Sequence, residues 1–386
     1  MKDDSPAAGA AAVDRAFREY RVVARRDESR IITSLVLAPL DGAPVPDYRP
    51  GQHLVFRLNA GDGNILRHYS VSGDPADRGQ LRISVKREPA PPGRPELPAG
   101  LGSAYMHDHA RVGDVLSAAG PLGGFVLDED SERPVLLLSA GVGLTPMMAM
   151  LHRLVRDSAR RVYFVHACEN GEVHAFAEEV RALAAARPGV AAHFRYRCAT
   201  DEDLARGRCH SRGLVDKELL QSLLPLDDYD VYLCGPPPFM QAGWSLLRGL
   251  GIAPGRIHYE FFGPATVLEA QEAAGAPAAG SPSADDRQAA EPAAEPQSAS
   301  AALVRFGPAG LGVPWDDACP SLLDLAERAG LDPDFNCRAG LCGTCMSTLV
   351  SGTVEYFEEP LDPPPEGKVL LCCSRPVGPV AIDLAG

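Results

Sequence analysis

The residues most suited to chemistry are the cysteines Cys337-x4-Cys342-x2-Cys345, followed by a fourth thiol at Cys372 or Cys373 near the end of the 386-residue chain. Three close cysteines with a distant fourth match the spacing by which four thiolates hold a [2Fe–2S] cluster. Between them stand Arg338, Ala339, Gly340, Leu341, Gly343 and Thr344, mostly small, so the backbone can curl round an inorganic core and aim amides at its sulfurs. Such a cluster carries one electron at a time. Structural zinc competes for the same thiolates, but it is usually gripped by two short C-x2-4-C hooks rather than by three cysteines in one arm. Cys168, Cys198, Cys209, Cys234 and Cys319 show no ligand spacing and read as packing residues.

Upstream, Ser139-Ala140-Gly141-Val142-Gly143-Leu144-Thr145-Pro146-Met147 follows an apolar run and opens a helical one. Gly141 and Gly143 permit close backbone approach to a pyrophosphate, Thr145 suits an N-cap and Pro146 a first helical position. The third glycine of the Rossmann fingerprint is absent. The tripeptide Arg67-His68-Tyr69 with Ser70 ends an alternating strand, offering a permanently charged fork for phosphate and a rigid flat face.

These groups need positioning elements. Residues 18–131 carry alternating runs such as Leu54-Val55-Phe56-Arg57-Leu58 and Leu81-Arg82-Ile83-Ser84-Val85 between Gly/Pro/Asp turns, which predicts an antiparallel β-barrel. Residues 132–264 alternate buried strands (Val135 to Leu138, Val162 to Val165, His193 to Arg197, Val231 to Cys234) with helical stretches, the pattern of a parallel α/β sheet. Residues 265–300, rich in Ala, Pro, Ser, Glu and Gln, read as a linker with a reach of roughly 30 Å. Residues 301–386 hold the cysteine loop among short strands and one helix, Ser321 to Ala329, and residues 1–17 form an N-terminal tail. Pro134 to Leu151 is uncharged, yet Gly141, Gly143 and Pro146 interrupt it, so a soluble reading is preferred to a membrane span.

Through these motifs the chain resembles the ferredoxin–NADP reductase superfamily, and residues 18–268 resemble the reductase half of flavohaemoglobins. Pro50-Gly51-Gln52-His53-Leu54, Ile83-Ser84-Val85-Lys86-Arg87-Glu88 and Tyr105-Met106-His107-Asp108-His109 add to the likeness. The resemblance implies that Arg67 pairs with a flavin phosphate, Tyr69 lies against the isoalloxazine ring and Ser70 bonds near N5. Gly102-Ser103, ahead of a helical stretch, is similar to the second phosphate contact of the family, although Ala104 stands where a polar residue is more usual. By the same likeness Gly141, Gly143 and Thr145 hold the nicotinamide dinucleotide, and Cys234-Gly235-Pro236 lies beside the nicotinamide. Glu260 and Phe262 would return to the flavin, leaving Ser70, Cys234 and Glu260 as the catalytic group. Family ferredoxin domains, of the plant type with a β-grasp fold, end in a Cys followed by three residues and Pro. Cys372-Cys373-Ser374-Arg375-Pro376 fits with Cys372, giving Cys337, Cys342, Cys345 and Cys372 as the ligand set.

Barrel, α/β domain and [2Fe–2S] domain in that order resemble the reductase components of oxygenases. The implied cofactors are FAD, with FMN as the alternative, a [2Fe–2S] cluster, and NADH ahead of NADPH. The nucleotide preference follows because His166-Ala167-Cys168-Glu169-Asn170 offers no Arg or Lys pair for a 2′-phosphate, although Arg206, Arg208 and Arg212 lie in the next loop. His107 and His109 read as exposed helix residues rather than metal ligands. The net charge is −14, of which the C-terminal domain holds 5 Lys/Arg against 12 Asp/Glu, net −7. An acidic carrier suits a basic docking surface on a partner oxygenase and disfavours nucleic acid. Ten cysteines without a secretory signal fit a reducing, cytoplasmic setting. Two other readings remain: nitric-oxide or quinone detoxification by a flavohaemoglobin-like reductase, and a cluster-based redox sensor without turnover.

Overall fold

The computed structural model describes residues 16–60, 63–89, 100–262, 302–307, 310–316, 319–331, 333–335, 340, 343–357, 360 and 363–384. The expected linker, Cys337 and Cys342 lie outside these residues. The chain forms two compact units, Met1–Phe262 and Gly263–Gly386.

The first unit begins with an antiparallel sheet of β1 (Arg18–Asp27), β2 (Ile32–Pro39), β3 (His53–Ala60), β4 (Gly63–Ser70), β5 (Leu81–Lys86) and, after helix α1 (Leu101–Asp108), β6 (Val115–Leu122). The strand order is β4-β3-β6-β1-β2-β5, and a bridge between Val71 and Ile83 brings its two ends together, closing the sheet as the alternating pattern requires. Tyr20, Leu37, Leu54, Phe56, Leu81 and Ile83 point inward and form the core.

A parallel sheet follows: β7 (Val135–Ala140), α2 (Leu144–Asp157), β8 (Val162–Cys168), α3 (Ala177–Ala186), β9 (Val190–Tyr196), α4 (Asp201–Ala205), β10 (Ser211–Arg212), α5 (Lys217–Leu223), β11 (Asp230–Gly235), α6 (Pro237–Gly249) and β12 (Ile257–Phe261). Its order, β10-β9-β8-β7-β11-β12, reverses between β7 and β11. That reversal opens a crevice at the carboxyl ends of the two strands, where ligands of such sheets bind. Every residue of β7 is buried because helices cover both faces. Leu136, Leu137 and Leu138 each contribute about 1.5–3 kcal/mol through this burial. The sequence run 134–151 is therefore a strand, a turn and the start of a helix. Among the described residues no helix is long and apolar enough to cross a membrane.

The barrel and the parallel sheet are tied by Arg82, which donates to both Glu179 oxygens at 2.8 Å, and by Arg156 paired with Asp74. Beneath the sheet, Asp230 accepts from Arg160 Nη2 at 2.6 Å with both side chains buried.

The second unit is a five-stranded mixed sheet of order β14-β13-β17-β15-β16, built from β13 (Leu303–Phe306), β14 (Leu311–Pro314), β15 (Met346–Tyr356), β16 (Lys368–Leu370) and β17 (Ser374–Asp383). Helix α7 (Leu322–Arg328) packs on it through Leu322, Leu323 and Leu325. Ser321, expected as the first helical residue, is the N-cap and accepts from the Asp324 amide. This is the α+β, β-grasp arrangement expected.

Candidate functional site

The site assembles where β4, β7, β11 and β12 end. In the β3–β4 hairpin His53 pairs with Ser70 and Phe56 with Arg67. Alternation then puts Arg67 and Tyr69 on one face and His68 and Ser70 on the other. Tyr69 packs at 5.7 Å from the Phe56 ring, and burial pushes its phenol well above the usual range, so it presents a neutral flat surface. A Cβ on Gly102 would fall 2.5 Å from Arg67 Cγ, so a bare backbone is what lets the arginine stem cross the start of α1. Gly102 and Ser103 lie inside the first turn of that helix, with Gly100 as its N-cap, rather than ahead of it as the sequence suggested. The Ser103 hydroxyl donates to Gly100 O at 2.9 Å and accepts from the Glu88 amide at 3.0 Å, which ties the loop before the helix to the helix itself. The Arg67 guanidinium and the first-turn amides of α1 thus form the anion-attracting groups.

The nucleotide motif also differs in one detail. After β7 a 3-10 turn, Gly141–Gly143, leads into α2, with Gly143 as N-cap, Thr145 second and Pro146 third in the helix. Thr145 caps nothing; its Oγ1 donates to Val142 O at 3.0 Å, because the tight turn occupies the place of a capping side chain. A Cβ on Gly143 would lie 2.3 Å from Cys234 O, so the β7 and β11 loops touch through backbone alone. Pro236 is the N-cap of α6 and Pro237 its first residue, so the prolines start a helix at the crevice. Gly235, facing Ala140 across the crevice, has no room for a side chain: its Cβ would meet Phe239 at 2.6 Å.

Cys234 pairs with Glu260 in the β11–β12 ladder. Burial, and secondarily the Glu260 charge, raises the Cys234 pKa far above its ordinary value, which keeps it a neutral thiol. Glu260 Oε1 lies 3.7 Å from His53 Nδ1. Glu260 Oε2, Ser70 Oγ and His53 Nε2 are buried without a hydrogen-bond partner. Three such atoms near one another are unusual in a folded protein and call for a polar ligand. Phe262, the last described residue of the unit, is exposed. The orphan polar atoms, the flat Tyr69 and the cationic Arg67 fit a flavin; the bare Gly141–Gly143 turn at a helix start fits a dinucleotide.

His53 and His68 escaped the sequence reading as site residues. No local signal marks them; only the folded hairpin register, which sets His53 opposite Ser70, brings them to the site. His107, expected as an exposed helix residue, is half-buried: its Nε2 lies 2.9 Å from Val85 O and its Nδ1 3.4 Å from Thr33 Oγ1. Burial lowers its pKa. It bonds barrel to helix.

At the far side of the sheet, Glu169 accepts from Arg197 Nη2 at 2.9 Å and from Cys198 Sγ at 3.1 Å, and these contacts lower its pKa. Arg206, Arg208 and Arg212 pair with Glu202, Asp203 and Asp201, respectively, so α4 neutralises all three.

In the second unit Cys372 and Cys373 lie in a 3-10 turn, Leu371–Cys373, not in a strand. Gly340 N–H points to Cys372 Sγ at 3.3 Å and Cys372 N–H to Cys345 Sγ at 3.5 Å. Cys373 Sγ instead faces Leu370 O at 3.8 Å. Gly340 has φ +67°, and a Cβ there would come 3.0 Å from Cys373 Sγ. Two thiols receiving or approaching loop amides fit the donor set of an iron–sulfur cluster.

Residues 19–127 match the oxidoreductase FAD-binding domain family, residues 137–243 the oxidoreductase NAD-binding domain family and residues 308–377 the 2Fe-2S iron-sulfur cluster binding domain family. A flavohemoprotein of Bordetella pertussis is 45% identical over 250 residues, 64% of this chain; the chain spans 61% of that protein's length. The FAD/NAD-binding domain of nitric oxide dioxygenase from Vibrio cholerae superimposes with a TM-score of 0.57 at 39% identity, covering 64% of this chain and 99% of that one. Phthalate dioxygenase reductase, described as modular for electron transfer from pyridine nucleotides to [2Fe–2S], shares the fold over 95% of this chain and 98% of its own, with a TM-score of 0.53 at 22% identity. The domain content is that of an NAD(P)H-dependent oxidoreductase. The chain carries an oxidoreductase FAD-binding domain, an oxidoreductase NAD-binding domain and a 2Fe-2S iron-sulfur cluster binding domain in that order, the first two similar to the FAD/NAD module of flavohaemoglobins.

Proposed function

We propose that this chain takes electrons from NADH through FAD and a [2Fe–2S] cluster to a one-electron acceptor protein, an oxygenase on another chain. The observation that carries the reading is the succession of FAD, NAD and 2Fe-2S domains in one chain. Bound, the cofactors supply the conversion of one hydride into two single electrons; the protein supplies position and electrostatics. Arg67 and the α1 amides hold flavin phosphates, Tyr69 shields one ring face, and Ser70 Oγ offers a proton to the ring edge. Gly141, Gly143 and Thr145 hold the dinucleotide, while Gly235 and Pro236 line the nicotinamide with Cys234 as a neutral thiol beside it. Glu260 and Phe262 cover the flavin from β12 and its end. Cys337, Cys342, Cys345 and Cys372 hold the cluster. The pairing of Arg206, Arg208 and Arg212 with α4 carboxylates supports NADH over NADPH, since these three cations are already engaged by carboxylates.

Removing residues 301–386 is expected to leave NADH-dependent ferricyanide reduction intact and to abolish reduction of a one-electron protein acceptor such as cytochrome c. Undiminished transfer to the protein acceptor refutes the route. The 45% identity to a flavohemoprotein favours one other reading, service to a haem partner in nitric-oxide detoxification. Haem absorbance in the isolated protein, or haem-partner reduction that survives loss of residues 301–386, would support it.

A further inference from the structure

The face of β4 that carries Ser70 also carries a histidine pair that the reading above leaves unused. His53 and His68 stack with ring centroids 4.8 Å apart and planes inclined by 8°. They sit diagonally in the β3–β4 ladder, His53 opposite Ser70 and Val55 opposite His68, so both rings stand on one face. His53 is 7% exposed. A Cβ on Gly123 would approach its ring to 2.9 Å, so backbone closes over it. One ring nitrogen, Nδ1, looks to Glu260 Oε1 at 3.7 Å. The other, Nε2, is buried without a hydrogen-bond partner, as are Ser70 Oγ and Glu260 Oε2. A buried imidazole with an open nitrogen on one side and a carboxylate on the other is built to hold a proton.

We infer that His53, stacked on His68 and facing Glu260, takes up a solvent proton each time the flavin held at this site is reduced, and returns it when the electrons leave. This inference rests on the flavin reading proposed above. Hydride from NADH brings two electrons and one proton, so the loaded site gains one negative charge. A proton bound by His53 offsets that charge, and the partly exposed Glu260 carboxylate is its path from solvent. When two electrons pass singly to a one-electron acceptor protein, the proton that came with the hydride and the proton on His53 both depart. The net change is NADH to NAD+ with release of two electrons and one proton. His68 limits the pair to one proton, because two stacked imidazolium rings repel. Glu260 on β12 faces His53, and its ladder partner Cys234 on β11 is a neutral thiol. Arg67 and Tyr69 stand on the opposite face of β4, and β6 and the Gly123-Gly124 turn bring no charged residue.

The test uses the full-length, flavin-loaded protein and reads flavin absorbance in equilibrium with a reference dye across about pH 5 to 8, where histidine charges. Wild type is expected to pass from two protons per electron pair at low pH to one at high pH. In H53F that break is expected to move by about one pH unit or more, a tenfold change in proton affinity. H53Q keeps a polar side chain and is expected to show the same displacement, which covers a folding failure of H53F. A break that stays in place in both variants assigns the proton to the flavin ring or another group and overturns the inference, as does a wild type without a break. Failure of the flavin reading itself looks different: wild type then binds no flavin, or NADH fails to bleach it.

Discussion

Gly143→Ala tests the crevice between β7 and β11 in the most direct way. The added methyl would sit 2.3 Å from Cys234 O, whereas ordinary contact begins near 3.4 Å, and the obstacle is backbone that cannot swing aside. The two loops must therefore part by roughly 1 Å. A misplacement of about that size between a bound substrate and its reacting partner costs on the order of 10²-fold in rate, close to 2.7 kcal/mol. The expected outcome is a kcat/KM for NADH-dependent ferricyanide reduction lowered by about two orders of magnitude, with flavin content unchanged because the phosphate- and ring-holding residues Arg67, Tyr69 and Ser70 and the α1 amides lie on other elements. Gly189→Ala, in the loop before β9 at the end of the sheet opposite the crevice, is the control. Nothing lies within 4 Å of its Cβ, and its φ of +87° alone makes the change unfavourable. That strain amounts to about 1–2 kcal/mol and falls on stability more than on hydride transfer. If Gly143→Ala keeps kcat/KM within about threefold of wild type, well under 1 kcal/mol, the two loops do not form the nicotinamide crevice.

Acid stability follows from the buried histidines of the parallel sheet. Burial lowers His166 to about 3 and His174 well below its ordinary value. Both are neutral in the fold, so their contribution is present above the unfolded value of about 6.5 and is lost as pH falls toward the folded values. Each histidine then removes about 1.4 kcal/mol per pH unit, and the urea midpoint read from Trp244 fluorescence in a Trp315→Phe background should fall between about pH 7 and 5; an unchanged midpoint contradicts the burial argument. Asp230→Asn leaves the buried Arg160 uncompensated and should cost about 3–5 kcal/mol of unfolding free energy by denaturant titration; a loss under about 1 kcal/mol shows that water or Asp128 O suffices. Cys372→Ser should abolish the visible cluster absorbance while Cys373→Ser, which turns toward Leu370 O, retains it; the reverse result exchanges the fourth ligand.

Much of the architecture was legible because its signals are local. Alternation in Leu54 to Leu58 and Leu81 to Val85 depends only on which face is wet, and the apolar run Val135 to Leu138 only on being covered on both sides. The cysteine spacing was equally direct. Helix starts were less so: Thr145 is a good capping type, yet a 3-10 turn at Gly141–Gly143 moved the cap to Gly143. Ser103 was displaced into α1 in the same manner, since Gly100 could supply the start without a side chain. The Cys372-Cys373 turn was hidden because short apolar runs do not distinguish a strand from a tight turn. Long-range pairing was out of reach. The meeting of His53, His68 and Glu260 depends on the register of β3 with β4 and on β12 arriving beside them, and neither is written in local periodicity. The neutralisation of Arg206, Arg208 and Arg212 by α4 is of the same kind, visible only once the loop has folded.

The central claim is that electrons from NADH reach the cluster through the flavin. Anaerobic rapid mixing of the full-length protein with NADH, followed at flavin and cluster wavelengths, tests it most directly. Flavin bleaching should come first and cluster reduction second, and Cys372→Ser should keep the first phase while losing the second together with reduction of a one-electron protein acceptor. Cluster reduction that precedes flavin bleaching, or acceptor reduction undiminished in Cys372→Ser, would contradict the account.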